Sequence, residues 1–176
     1  IEEANKLAKI LLERDDTRFA TYDLLAEYHI DKEEYQIGYE IIQEATKLAP
    51  RSLERNKKSW NLARLNHDRV GQYVATRNMA KYAKNSIHDS PDLTVNVIRS
   101  SLDLASTMSD AEAGKLLTST EKTIERLLKE HSSASDLTDQ LNVIQARILN
   151  LRNNKKDAEN LMANKNLRSA KKAKND

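Results

Sequence analysis

The sequence predicts an all-α fold, and three observations support this prediction. The 176 residues include only 3 Gly and 2 Pro, which leaves little material for β-hairpins and tight turns. β-Branched and aromatic residues do not cluster as they do in strands. Apolar residues instead recur at helical spacing along most of the chain. We therefore expect about nine helices that pair into antiparallel hairpins.

The composition indicates a soluble globular chain, with 39% apolar and 32% charged residues. Because it contains no Cys, the sequence excludes a disulfide framework, a thiolate nucleophile and a cysteine zinc site, and a reducing, cytoplasmic location is expected. No apolar run reaches the ~20 residues that span a membrane, so no membrane partner is expected. The chain begins at Ile1 in mid-helix without Met, which predicts a fragment that lacks an N-terminal domain.

The first 50 residues predict a half repeat and then one complete hairpin. Residues 1–14 place Ala8 and Leu11 at helical spacing, as in the second helix of a repeat whose first helix lies upstream. Residues 19–50 contain two apolar runs separated by a polar loop at 30–33. We expect a helix in each run and close packing between the two.

A second repeat is predicted at about 52–88. Ser52 is a suitable cap for a helix that extends to about Asn66, and its partner is expected from about Arg69 to Ile87. Trp60 and Tyr73 are the large residues expected between these two helices.

Two further hairpins, at about 91–131 and 135–172, complete the single predicted domain. Ser90, Pro91 and Asp92 form a helix start, and Ser109 with Glu112 has the spacing of a capping box. A helix from about 136 to 150 follows, and a last helix is expected from about Lys155.

The segment at residues 19–50 resembles a tetratricopeptide repeat. The matching residues are Tyr22, Leu25, Ala26 and His29, followed by Gly38, Ile42, Ala45 and Pro50. Ala26 and Gly38 are small enough to let two helices touch, and Pro50 ends the second helix. His29 and Gly38 depart from the usual aromatic residue and Ala. The resemblance implies an α–α superhelix whose concave face binds a peptide or protein.

Residues 15–107 more narrowly resemble the repeat region that follows the receiver domain in bacterial two-component response regulators. The segments that carry the resemblance are 22–27, 48–53 and 86–92, which read YDLLAE, LAPRSL and SIHDSPD. The resemblance implies an upstream receiver domain with a phospho-accepting Asp. It also implies a non-enzymatic output or scaffold role that phosphorylation controls through coupling between domains.

Six residues are the candidate partner contacts on the concave face. In a repeat stack this face is lined by the first helix of each pair. The six residues are Asp23, Glu27, Ile30, Lys58, Asn61 and Leu65. A protein or peptide partner is expected, and self-association through the apolar end at the first helix is a further possibility.

A nucleic-acid-binding regulator is the alternative prediction. Charge alternates along the chain, with net charges of −6, +7, −3 and +4 in residues 1–50, 51–88, 89–154 and 155–176. Cations of the basic block 51–88 lie close to Trp60, as in sites that combine phosphate contacts with base stacking. They are Arg55, Lys57, Lys58, Arg64 and Arg69, followed by Arg77, Lys81 and Lys84 on the next helix.

Nothing in the sequence indicates catalysis, a metal site or a cofactor. The four histidines are far apart and form no HExxH or paired His/carboxylate motif, and Gly71 has no phosphate-binding loop around it. General acid–base chemistry needs a pocket that shifts pKa values, and the sequence predicts none. We therefore expect a binding protein without enzymatic activity.

Overall fold

The computed structural model describes residues 2–14 and 19–152, and these residues form eight α-helices and no β-strand. The all-α prediction is therefore confirmed, and the predicted helix from about Lys155 lies outside the described residues. The helices are α1 Glu2–Arg14, α2 Phe19–Asp31, α3 Tyr35–Leu48, α4 Leu53–Leu65, α5 Arg69–Ala83, α6 Pro91–Ala105, α7 Asp110–Glu130 and α8 Ser135–Leu151.

The chain divides into two compact units, residues 1–97 and residues 98–176, and the division falls within α6. In the first unit α1 packs on α2, α2 on α3, α3 on α4 and α4 on α5. This is the packing of consecutive antiparallel hairpins. The prediction of a single domain over residues 1–176, with a half repeat at 1–14 and hairpins at about 19–50, 52–88, 91–131 and 135–172, stays a prediction.

Helices α2 and α3 approach closely because small residues lie at their contact. A Cβ atom added to Gly38 would lie 3.3 Å from the carbonyl oxygen of Ala26 and 3.4 Å from Cγ1 of Ile30. Leu25 and Ile42 fill the space beside this contact and are buried. The predicted role of Ala26 and Gly38 is confirmed, and the same core continues onto α4 through Leu62 and Ala63.

The two hairpins of the first unit repeat at an interval of 34 residues. Helices α2 and α4 both have 13 residues and begin at residues 19 and 53, which are 34 positions apart. The turn after each helix contains a residue with positive φ, Glu33 at 61° and His67 at 55°. The residue that follows donates its N–H over 2.8 Å, from Glu34 to the carbonyl of His29 and from Asp68 to that of Ala63. The same backbone turn therefore closes both hairpins.

The helix ends agree with the sequence in part. Ser52 Oγ accepts a bond of 3.3 Å from the N–H of Arg55, as predicted. Ser109, in contrast, donates its hydroxyl to the Glu112 carboxylate at 2.7 Å and makes no bond to backbone, so the predicted capping box does not form. Helix α5 ends at Ala83 rather than near Ile87, because Asn85 has a φ of 63° and Ile87 is 95% exposed.

The carboxylate of Asp68 joins the first hairpin to the second. Its Oδ1 accepts the N–H of Gly71 at 2.9 Å and caps α5, while its Oδ2 accepts the hydroxyl of Tyr39 on α3 at 3.0 Å. A Cβ atom at Gly71 would overlap the Tyr39 hydroxyl and lie 2.5 Å from Asp68 Oδ2. Any larger residue at this position would therefore have to displace the Tyr39 hydroxyl and the Asp68 carboxylate.

In the second unit the residues of α6 from Ile98 onward connect to α7 and α8 through polar bonds. The hydroxyls of Ser101 and Thr120 lie 2.9 Å apart in a buried contact. Arg147 on α8 donates to Asp103 on α6 at 2.7 Å. Leu102, Ile124, Leu141 and Ile148 are among the buried side chains of this unit.

Replacing Gly71 by Ala is expected to destabilise the first unit by about 1–3 kcal/mol, because the new methyl group displaces Tyr39 and breaks its bond to Asp68. Urea unfolding followed by the fluorescence of Trp60, the single Trp and a residue of this unit, measures the effect. In a Tyr39→Phe background the same replacement should cost less, since the overlapping hydroxyl is gone.

Gly114 provides the matched control for this replacement. A Cβ atom there meets nothing within 4 Å, so Gly114→Ala should stabilise helix α7 by about 0.5–1 kcal/mol. An equal loss of stability from Gly71→Ala with and without the Tyr39 hydroxyl would contradict the steric explanation.

Candidate functional site

Three of the six predicted contact residues form, together with Arg55, an ion-pair network between the two hairpins. Asp23 binds two cations of α4, with Oδ2 at 3.2 Å from Arg55 Nη2 and Oδ1 at 3.2 Å from Lys58 Nζ. Lys58 Nζ also lies 3.3 Å from Glu27 Oε1. The structure thus brings Asp23, Glu27 and Lys58 together on one face, although Lys58 lies more than 30 positions from either acid in sequence.

This network is partly shielded from water. The side chains of Asp23 and Lys58 keep only 25% and 29% of their exposure, whereas Glu27 keeps 61%. Burial lowers the pKa of Lys58, but the bonds and charges of Asp23 and Glu27 outweigh burial and raise it above the ordinary value. The Lys58 ammonium therefore lies in the contact between α2 and α4, which we call the α2–α4 seam.

The other three predicted contacts have different surroundings. Ile30 is half-buried and packs against the cluster of Ala26, Tyr39, Ile42, Leu62 and Ala63. Asn61 is exposed, and Leu65 is 40% exposed. Of the six predicted contact residues, Glu27, Asn61 and Leu65 are therefore the ones exposed to solvent.

Arg55 is a residue whose role the sequence does not reveal. The basic block suggested a phosphate contact, but the guanidinium pairs with Asp23, lies near Ser52 Oγ at 3.4 Å and stacks over the Phe19 ring at 4.4 Å. Only the placement of α4 beside α2 brings these groups together. Opposite net charges in residues 1–50 and 51–88 were the one signal of such pairing.

A groove between α3 and α5, with α4 at its floor, was not predicted either. Its volume is about 370 Å³, in the range of ligand pockets. The walls include Tyr39 and Gln43 from α3 and Val70 and Val74 from α5. Asn56 contributes to the floor, where its Nδ2 donates to the carbonyls of Pro50 and Ser52. The feature of the sequence that could have indicated this groove is Gly71, an isolated glycine three positions after Asp68, the N-cap residue of α5.

Tyr39 is a buried titratable group in the wall of this groove. Burial, followed by the hydrogen bond and the negative charge of Asp68, raises the pKa of Tyr39 to about 12. The phenol therefore stays protonated at neutral pH and acts as a donor to Asp68.

The described residues contain no group of three or more His, Asp or Glu side chains placed to hold a metal ion. His29 is a buried residue of α2, and its Nδ1 lies 2.6 Å from Oε2 of Glu34 in the turn that follows. None of the helices in the described ranges is long and apolar enough to cross a membrane.

Comparison of the chain with protein-family models, curated proteins and solved structures finds no match.

A double-mutant cycle on Asp23 and Lys58 should give a coupling free energy of about 0.5–1 kcal/mol. This value is in the upper part of the range for ion pairs at the surface, because both side chains are partly buried. Asp23→Ala, Lys58→Ala and the double variant are compared by urea unfolding. The coupling should fall as salt rises from 0.05 to 0.5 M, since ions screen it.

The control is the same cycle on Glu44 and Lys47, an exposed ion pair in which the lysine side chain is 68% exposed. The coupling free energy of this pair should be smaller. A coupling between Asp23 and Lys58 no larger than that control would show that the α2–α4 seam is not held by charge.

Stability should decline as pH rises from about 10 to about 12, because the folded pKa of Tyr39 lies above the ordinary value of 10.0. A folded group that holds its proton more tightly contributes its full stabilisation below pH 10 and loses it as the pH passes the folded pKa. Tyr39→Phe should remove this part of the alkaline decline. Asp68→Asn should lower the pKa of Tyr39 but leave it above 10, because burial is the larger cause.

Absorbance at 295 nm measures the ionisation of the 6 tyrosines directly. One tyrosine is expected to titrate near pH 12, and its contribution should be missing from the Tyr39→Phe variant. Identical titration curves for the two proteins would contradict the assignment.

Proposed function

We propose that this chain is a protein–protein interaction module of the tetratricopeptide type. The interval of 34 residues between its first two hairpins is the observation that carries the proposal, because it equals the tetratricopeptide period. The agreement extends to the backbone, since the turn of each hairpin has the same positive φ and the same closing hydrogen bond. Chains built this way bind extended or helical segments on the face formed by the first helix of each pair.

The proposed binding face is the surface of α2 and α4. The ion pairs of Asp23 with Arg55 and Lys58 hold the two helices together before any partner arrives, which lowers the ordering cost of binding. Glu27, Asn61 and Leu65 then offer a carboxylate, an amide and an apolar side chain to a partner segment. In this proposal Asp23, Ile30 and Lys58 shape the face and supply less of its contact area.

We further propose that the module is the output or scaffold part of a response regulator in which upstream phosphorylation controls access to the binding face. The support for this part is the resemblance of residues 22–27, 48–53 and 86–92 to the repeat regions that follow receiver domains. The test is to express the protein with the coding sequence upstream of residue 1 and treat it with acetyl phosphate. Intact mass should show the addition of one phosphate that alkali removes, as an aspartyl phosphate requires.

Nucleic-acid binding is the second candidate, favoured by the exposed cations Arg64, Arg77, Lys81 and Lys84. Two other members of the basic block, Arg55 and Lys58, already pair with Asp23, which reduces the charge available to phosphates. A salt titration separates the candidates. Nucleic-acid affinity would fall steeply with ionic strength and would fall further in the Arg64→Ala variant, whereas peptide binding to the α2–α4 face would change little.

Selection from a displayed library of random 12-residue peptides on the immobilised chain should yield ligands of the α2–α4 face. Their dissociation constants, measured by fluorescence polarisation, should rise about tenfold in Asn61→Ala and in Leu65→Ala, which corresponds to about 1.4 kcal/mol for each contact.

Val143→Ala on α8 is the matched control, because Val143 and Leu65 are both 40% exposed and only Leu65 lies on the proposed face. Peptides that bind Leu65→Ala and Asn61→Ala as tightly as the unmodified chain would refute the α2–α4 face as the binding site.

A further inference from the structure

Helix α5 carries an exposed stripe that the α2–α4 face does not include. The stripe consists of Val70, Val74, Arg77, Lys81 and the following Lys84. Successive members are four, three, four and three positions apart, which places the helical members on one face. Val70 and Val74 are 57% and 49% exposed, and the three cations are also exposed. The stripe is therefore apolar at its N-terminal end and cationic at its C-terminal end.

The cations of the stripe have no acidic partner in the part of the chain that the structure describes. Helix α5 contains no Asp or Glu. The ion pairs found among the described residues do not involve Arg77, Lys81 or Lys84. The ammonium of Lys81 lies 5.0 Å from the centre of the Tyr82 ring, which does not neutralise it. Three adjacent positive charges thus remain available to an acidic group.

The apolar end of the stripe opens into the groove between α3 and α5. Val70 and Val74 belong to both, since they line the groove and begin the stripe. The opposite wall comes from Tyr39, Gln43 and Thr46 on α3. A cavity of about 370 Å³ has room for one or two large apolar side chains from a partner. The groove and the cations therefore form one continuous surface with two chemistries.

We propose that this surface, defined by the α3–α5 groove and the α5 stripe, is a second docking site that takes an acidic amphipathic helix of another protein. Apolar side chains of that helix enter the groove beside Val70 and Val74. Its carboxylates pair with Arg77, Lys81 and Lys84 further along. Helices bind grooves in this way through apolar anchors spaced three or four residues apart, with charge fixing orientation. The proposal does not depend on the α2–α4 face.

Charge and shape favour this occupant over the alternatives. A nucleic acid would use the cations but would leave the two valines and the groove without apolar contacts. Residues 155–176 of the same chain carry a net charge of +4 and would be repelled by the stripe. A partner that supplies both apolar and acidic side chains satisfies the whole surface.

Two fluorescein-labelled helical peptides of 16 residues on an alanine background test the proposal. One places two Leu at positions 1 and 5 and three Glu at positions 8, 12 and 15, and the other has the reverse order, so that both orientations are sampled. Fluorescence polarisation should show micromolar binding of at least one peptide to the complete chain at 0.1 M salt.

Two sets of variants assign the binding to this surface. Val70→Ser with Val74→Ser should weaken binding at least tenfold, and so should Arg77→Glu with Lys81→Glu and Lys84→Glu. All five positions are exposed, so both variants should fold, as the unchanged Trp60 fluorescence and helical circular dichroism would verify.

The triple variant should also bind a peptide in which Lys replaces Glu. Leu65→Ala on the α2–α4 face should leave peptide binding unchanged, and this separates failure of one site from failure of the other.

Four outcomes would overturn the proposal. The first is that neither peptide binds below about 1 mM. The second is that a 16-nucleotide single-stranded DNA binds more tightly than the peptides and displaces them. The third is tighter binding to vesicles that contain phosphatidylglycerol than to either peptide. The fourth is a doubled mass in light scattering that the triple charge variant abolishes, which would assign the surface to a second copy of the chain.

Discussion

The bidentate use of the Asp68 carboxylate is the constraint on which the first unit depends. One oxygen starts helix α5 by capping it at Gly71, and the other holds the Tyr39 hydroxyl of the preceding hairpin. A single side chain therefore sets where α5 begins and how it lies against α3. The same arrangement leaves the groove between these helices, so the cavity follows from how α5 is anchored.

The opposite side of the same hairpins is held by charge. Asp23 pairs with Arg55 and Lys58 in a setting that is neither dry nor fully solvated, where ion pairs contribute modestly to stability and strongly to orientation. The first unit thus has a contact between α3 and α5 that depends on hydrogen bonds to one carboxylate, and a contact between α2 and α4 that depends on paired opposite charges. Each contact borders one of the two proposed binding faces, and the two faces differ in chemistry.

Local features of the sequence predicted the helices well, because spacing and capping act over a few residues. The pattern of Ala26 and Gly38 even predicted a contact between two helices, since small residues at a tetratricopeptide spacing have one common use. Ile87 shows the limit of such patterns. It fitted the apolar period of α5, yet the backbone leaves the helix at Asn85 and exposes Ile87 to water.

The candidate site was less predictable because its contacts are distant in sequence. Asp23 and Arg55 are 32 positions apart and Tyr39 and Asp68 are 29 apart, so only the relative placement of helices reveals either pair. Ile30 illustrates the same point, since a position assigned to a surface is partly buried and packs against the core cluster.

The 34-residue interval also restricts how such a chain can change length over evolution. Two successive turns share one backbone geometry, while the side chains at equivalent positions, such as Glu27 and Asn61, differ. Gain or loss of a whole hairpin keeps every later helix in phase with its neighbours, whereas a one-residue insertion inside a helix rotates all following side chains by about 100°. Duplication of complete hairpins followed by divergence of their surfaces is therefore a route by which a chain with this interval can lengthen without disturbing its packing.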